Sequence, residues 1–244
     1  MSEPSAIVPS SSSGSTKKKE KEVQFKGQSR IEGVCHWCKR EEIPGQKRFQ
    51  ACGQCKEIIY CSRECQRASW PFHKATCKQN AEMRMAAQAA SPDIAKDIAT
   101  FKKWHACHGE LFKHAIVCAL DLGKNPKNYD KSMLLVEVRP RKDHAKLSVN
   151  RKYELAAGCI LTMEEVRGML GPSGEPMLDS LKEESKFMQK KGGIGMAAII
   201  LEMGGIVDLV KVILPKPDGA ALMQRVNNWG SEWFVNLAGG VLHA

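Results

Sequence analysis

Nowhere in this 244-residue sequence is there an apolar run long enough to cross a bilayer. The longest apolar stretch, residues 194–214, is interrupted by Glu202, Gly204, Gly205 and Asp208, whereas a spanning helix needs about 20 consecutive, predominantly apolar residues. The chain also lacks a positively charged start followed by an apolar segment, so neither a signal peptide nor a membrane span is expected. Internal repeats are absent too. Cysteine is sparse after residue 77, where only Cys107, Cys118 and Cys159 occur, yet seven of the ten cysteines fall between Cys35 and Cys77. Without an export signal, that crowding reads as metal ligation in a reducing compartment, nuclear or cytoplasmic, rather than as a disulfide framework.

What is present has ordinary globular proportions. An apolar fraction of 43% in 27.0 kDa suffices for one good-sized core, or for a small module beside a modest domain. The formal charge of +10 invites a nucleic-acid reading, but ligating cysteines are deprotonated. A four-thiolate zinc site carries −2 and a three-thiolate, one-imidazole site −1. Two such sites bring +10 down to +7. The remainder is interleaved with acids and suits solubility better than a dedicated phosphate-binding surface.

Three segments follow from composition. Residues 1–30 are polar, Ser/Pro-rich and then basic at Lys17, Lys18, Lys19 and Lys21, and are expected to be a disordered tail. The Lys run is either a solubilising feature or a weak import or anionic-surface patch. Residues 31–80 hold the cysteine cluster and too few large apolar side chains to fold on a core of their own, so metal must supply much of their stability. Residues 92–244 read as a small α+β domain.

Within that last segment, Ser91-Pro92-Asp93 marks a helix start. Apolar residues from Ile94 to Ala119 follow at helical spacing, with a break or bend expected near Gly109 and an end near Gly123. Met133–Val138 reads as a strand stopped by Arg139-Pro140. Thr162 and Glu165 form a capping-box pair for a short helix to Leu170, and residues 171–174 form a turn. Residues 197–203 suit a helix, residues 206–214 a strand, and residues 220–237 a mostly helical stretch despite Gly230.

The ligand string is Cys35-x2-Cys38, Cys52-x2-Cys55, Cys61-x3-Cys65 and His73-x3-Cys77. One C-x2-C pair is weak evidence, but four consecutive pairs supply eight ligands, enough for two tetrahedral zinc ions. The first two pairs suit tight knuckles. The last two have the i, i+4 spacing of one helix face, with Ser62 a plausible cap for the first helix and Trp70-Pro71 an entry to a second. Closed four-ligand sites leave no position for substrate, so the ions would be structural. His36, inside the first knuckle, is surplus to the eight.

The order and spacing of these eight residues, Ile59-Tyr60 before Cys61, and Cys65-Gln66-x3-Trp70-x2-His73-Lys74-x2-Cys77 resemble the MYND-type zinc finger. The resemblance implies a cross-brace: Cys35, Cys38, Cys61 and Cys65 on one zinc, Cys52, Cys55, His73 and Cys77 on the other. It also implies a protein-interaction module that docks short proline- and leucine-containing peptides beside the second zinc, with Gln66 and Trp70 in the groove. An indole offers a flat wall to a proline ring, and an amide can pair with peptide backbone. The alternative for Trp70 is packing within the module's small core. Two departures stand out: the Cys38–Cys52 loop is longer than is usual, and Gly53 replaces a serine found in better-studied peptide binders.

Some proteins with this finger carry it inserted in a SET-type lysine methyltransferase, which needs sequence on both sides and an Asn-His-Ser-like stretch. Nothing after Cys77 matches that stretch. The residues His105, Cys107, His108, His114 and Cys118 fit small buried or differently directed side chains better than a third metal site. Gly192-Gly193-Ile194-Gly195 lacks the Lys-Ser/Thr pair of a phosphate loop. The finger's basic residues Lys39, Arg40, Lys47, Arg48, Lys56, Arg63, Arg67, Lys74 and Lys78 share it with five acids and lack the spacing of a DNA-reading finger. The expectation is therefore a small two-zinc cross-brace finger followed by, and tethered to, a small α+β domain, acting as a non-enzymatic adaptor for protein or proline-containing peptide. The competing readings are weak nucleic-acid association and an enzyme site in the second domain.

Overall fold

The computed structural model describes residues 23–244. Residues 1–22, which include the Lys run, lie outside the described residues. Residues 23–30, assigned to the tail on sequence grounds, instead pack onto the molecule. Phe25 is buried against Ala87, Ala95 and Ile98, and Gln28–Glu32 forms a short helix, α1.

Strands β1 (Gln50–Ala51) and β2 (Ile59–Tyr60) make a small antiparallel ladder. Helix α2 (Arg63–Ala90) begins at Ser62, whose hydroxyl accepts from Cys65 N at 3.3 Å, the N-cap expected of serine. The sequence suggested two helices here, one restarting at Pro71. A single 28-residue helix is found, with Pro71 inside it. An interior proline costs a helix roughly 3 kcal/mol, and α2 continues because Cys65 before Pro71 and His73 and Cys77 after it are drawn into separate side-chain clusters of the finger.

Ser91 ends α2 and starts α3 (Pro92–Cys107), accepting from Ile94 N at 3.1 Å. The expected break falls at His108, after which Gly109–Ala119 forms α4. Strand β3 (Ser132–Pro140) takes in the Arg139-Pro140 pair and ends on it, two residues later than expected; pairing with β5 has already stopped at Glu137, so the missing N–H of Pro140 breaks no bond on that side. Strand β4 (Tyr153–Thr162) and helix α5 (Met163–Leu170) follow, with both halves of the Thr162–Glu165 capping box present. Residues 172–174 make a 3-10 turn, and α6 (Glu175–Lys190) returns to β5 (Met196–Met203). Thus residues 197–203 form a strand rather than a helix. The two-residue turn Gly204-Gly205, with φ of +57° and +86°, leads to β6 (Ile206–Ile213), the left-handed pair that a tight hairpin requires. Helices α7 (Pro217–Val226) and α8 (Trp233–His243) complete the chain, interrupted around Gly230.

The sheet order is β4-β3-β5-β6, with β3 and β5 parallel and the other pairs antiparallel. Alternate residues feed two cores. Leu134, Val136, Ile199, Leu201 and Val212 pack against Trp104, Phe112, Ile116, Trp233 and Leu237 of the helices on one face. Met133, Ala198, Ile200 and Leu209 pack against Val166, Leu178 and Leu181 of α5 and α6 on the other. Central β5 is buried on both faces and apolar from Met196 to Leu201, before Glu202.

The finger is packed against this domain rather than tethered to it. Trp37 stacks on Phe72 and on Phe187 of α6, with ring centroids 5.9 and 4.9 Å apart, and Lys191 lies over the rings of Trp37 and Phe187. Ser180 donates to the Phe72 carbonyl at 2.7 Å. Deeper in, Glu57 of the finger meets Lys102 of α3 at 3.3 Å, and the same ammonium lies 3.3 Å from Asp208 of β6. The Lys102 and Glu57 side chains are 5% and 2% exposed. His105 Nε2 reaches Asp208 at 3.1 Å, and Asn80 donates to Glu57 at 2.9 Å. Burial pushes Asp208 up, but Lys102 and His105 overcome it and hold the carboxyl well below the usual range. Burial likewise works against the Lys102 charge, yet Asp208 and Glu57 raise its pKa.

Breaking a buried ion group by removing one member costs about 3–5 kcal/mol. Lys102→Met is therefore expected to lower stability by roughly that amount in urea unfolding, with both zinc ions retained. A loss under about 1 kcal/mol would mean the group is solvated in solution.

Candidate metal centre and adjoining cleft

Each knuckle is closed by a backbone hydrogen bond across its pair: Lys39 N to Cys35 O at 3.0 Å and Lys56 N to Cys52 O at 2.9 Å. Lys39 and Lys56 both take positive φ, 62° and 61°, a conformation unfavourable for a residue with a Cβ. The same strain in the same place in both knuckles indicates that the ligand geometry dictates the turn.

Among the described residues, two groups of at least three Cys, His, Asp or Glu side chains are close enough to hold a metal. One is Cys35, Cys38, Cys61 and Cys65; the other is Cys52, Cys55, His73 and Cys77, with ligand atoms in each group all within 4.8 Å of one another. The groups interleave along the chain, so each knuckle is paired with the second next pair. Sulfurs on a tetrahedral zinc, with Zn–S near 2.3 Å, stand about 3.8 Å apart, and a sulfur and an imidazole nitrogen about 3.6 Å. Cys38–Cys61 and Cys61–Cys65 are at 3.6 and 3.5 Å, Cys52–Cys77 at 3.7 Å, and Cys55 Sγ to His73 Nε2 at 3.5 Å. One site of four thiolates and one of three thiolates and an imidazole thus fit two zinc ions with every position filled, a structural role rather than a catalytic one.

His36 is a member of neither group; its ring is edge-on to Tyr60 at 6.0 Å and 5.9 Å from that of His73. Burial, then Lys39 and His73, push its pKa down to about 3, so it is neutral at physiological pH. The other Cys/His constellation disperses: His105 faces Asp208, His108 Nε2 donates to Asn150 O at 2.9 Å, and His114 donates to Asn227 O at 2.7 Å. Burial raises the Cys118 thiol and lowers His108, which suits packed, inert side chains.

The pattern of the MYND finger family matches residues 35–77. Residues 35–77 form a MYND finger. Curated relatives match over the same segment. "SET domain and MYND-type zinc finger protein 6" of Schizosaccharomyces pombe is 47% identical over 45 residues, 18% of this chain and 8% of that protein. "Dauer abnormal formation protein 25" of Caenorhabditis elegans is 48% identical over 48 residues, 20% of this chain and 12% of its own. "N-lysine methyltransferase SMYD2-A" of Danio rerio is 58% identical over 45 residues, 18% of this chain and 9% of its own. The matched segment therefore spans about a tenth of the length of these relatives. No solved structure matches the chain.

Beside the second cluster of the MYND finger, Trp70 is 38% exposed and its ring stands edge-on to His73, centroids 6.2 Å apart. It walls a cleft of about 510 Å³ with Lys74, Ala75 and Lys78 of α2 and with Pro176 and Met177 of α6. Gln66, one turn before Trp70 on α2, is half-buried and lies outside the residues lining this cleft. Pro176 and Met177 carried no signal in the sequence, because only the packing of α6 on α2 brings them there. Ser69, on the inner side of α2, accepts from the Tyr60 hydroxyl at 3.1 Å, fixing the helix against β2 and Trp70 outward.

The two clusters differ in access. Cys38 is exposed and Cys61 and Cys65 half-buried, whereas all four members of the second cluster are buried. Chelation is expected to release zinc in two phases, the faster from the first cluster. Loss of the second should also reduce amide-exchange protection in α3 and β6, because Glu57 lies two residues after Cys55 and pairs with Lys102. A single release phase, or unchanged protection in β6, would contradict that coupling.

Proposed function

We propose that this chain is a protein-interaction adaptor. One zinc ion sits on Cys35, Cys38, Cys61 and Cys65 and another on Cys52, Cys55, His73 and Cys77. Together they hold rigid a surface that docks short proline-containing peptides at Trp70, with Gln66 on the same helix face. The observation that carries the reading is the exposed indole leaning on a zinc ligand and walling an apolar cleft. Trp70 is not consumed by the finger's own core, which is built instead from Tyr60, Ile58 and the cysteines. A surface already fixed by metal loses little chain entropy on binding.

Names of several relatives include methyltransferase or SET, but those matches stop at the finger, and the region after Cys77 lacks the Asn-His-Ser-like stretch. We therefore assign the chain no methyltransferase activity. Gly53 has open space where a Cβ would sit and an ordinary backbone angle, so a serine is sterically admissible there.

Fluorescence anisotropy with labelled proline- and leucine-containing peptides tests the reading. Trp70→Ala is expected to weaken binding by about tenfold or more, about 1.4 kcal/mol, without changing zinc content. Gly53→Ser places a hydroxyl next to Gln54 of the cleft lining and is expected to strengthen binding by offering the peptide one more polar contact. Unchanged affinity in Trp70→Ala would remove the basis for the proposal.

A further inference from the structure

The cleft at Trp70 has two walls from distant parts of the chain. One is the outer face of α2, with Trp70, Lys74, Ala75 and Lys78; the other is the start of α6, with Ser173 before it and Pro176 and Met177 within its first turn. The finger alone therefore supplies half a cleft. Its floor is apolar, and the charged side chains lining it are Lys74 and Lys78, with no carboxylate among the lining residues. Glu82, outside the lining, approaches Lys78 at 3.9 Å with both side chains exposed, a solvated pairing that costs little to exchange for another carboxylate. A peptide laid across Trp70, Pro176 and Met177 places its flanking residues beside two ammonium groups, Lys78 having only the exposed Glu82 outside the cleft as partner.

We propose that the partner of this cleft is a proline-containing segment flanked by acidic residues, read jointly by the MYND finger and the first turn of α6. The inference rests on the docking reading and adds two elements to it: the charge of the ligand and the second wall. Apolar contact with the indole supplies the anchor, as aromatic residues do at the centre of interfaces. The lysines act at the rim, where opposite charge contributes selectivity and association rate that fall with added salt. Nucleic acid, also polyanionic, would use the lysines, and a single strand would stack bases on the indole, so single-stranded DNA is the competing probe.

The test uses the zinc-loaded full chain and three fluorescein-labelled peptides with one core, Ala-Pro-Pro-Leu-Ala, carrying two Glu, two Gln or two Lys at each end. The Glu-flanked peptide is expected to bind about fivefold more tightly than the Gln-flanked one at low salt, and the Lys-flanked one most weakly. The double variant Lys74→Glu/Lys78→Glu should invert that order. Pro176→Glu, an exposed position where a carboxylate suits a helix N-terminus, should weaken the Glu-flanked peptide about threefold although it lies about a hundred residues from the finger. Equal binding of all three peptides, still lost in Trp70→Ala, overturns this inference and leaves the docking reading standing. Insensitivity to Pro176→Glu overturns the shared wall. Binding of single-stranded DNA more tightly than any of the peptides, or no binding of any peptide, overturns both.

Discussion

Lys102 is the point at which the two halves of the molecule depend on one another. Its ammonium is buried, and a buried charge is tolerable only if paired. The partners come from either side, Glu57 from the finger and Asp208 from β6. Glu57 is held where it is by the turn that closes the second knuckle, and that turn has the geometry of metal ligation. Zinc thus supports the α+β domain indirectly, and the domain gives the finger the burial that its own small core lacks. Aromatic stacking of Trp37 on Phe72 and Phe187 secures the same contact nearer the surface.

This arrangement alters what the finger can do. A module connected by a flexible linker would present Trp70 to solvent on all sides. Here the start of α6 stands opposite it, and the surface becomes a cleft. The apolar wall of α6 thus comes from the domain, whereas the charged residues of the cleft, Lys74 and Lys78, both belong to α2.

The finger was legible in the sequence because metal ligation imposes residue type and spacing together: four pairs name their own ligands, and the interleaving implied by the family resemblance matches the clusters found. Elements with strong local chemistry were legible as well, including the Ser91-Pro92 start and the Thr162–Glu165 box. Three features were not. Residues 197–203 suited a helix because a strand buried on both faces loses its alternation. Strand β4 and helix α6 gave no decisive local signal, β4 being an edge strand of mostly exposed or half-buried residues. The docking of finger on domain depends on Phe187, Ser180 and Asp208, residues whose partners lie far away in the sequence.

Helix α2 continues for thirteen residues beyond Cys77, the last residue matched by the family pattern. The evolutionary unit and the mechanical unit therefore end in different places. A cassette cut at Cys77 would keep all eight ligands but sever a helix in mid-course, leaving its last carbonyls without partners and removing Asn80, which steadies Glu57. In this chain the rest of that helix and the start of α6 that faces it both lie outside the matched segment. The eight ligands alone therefore specify the metal sites but not the cleft beside them.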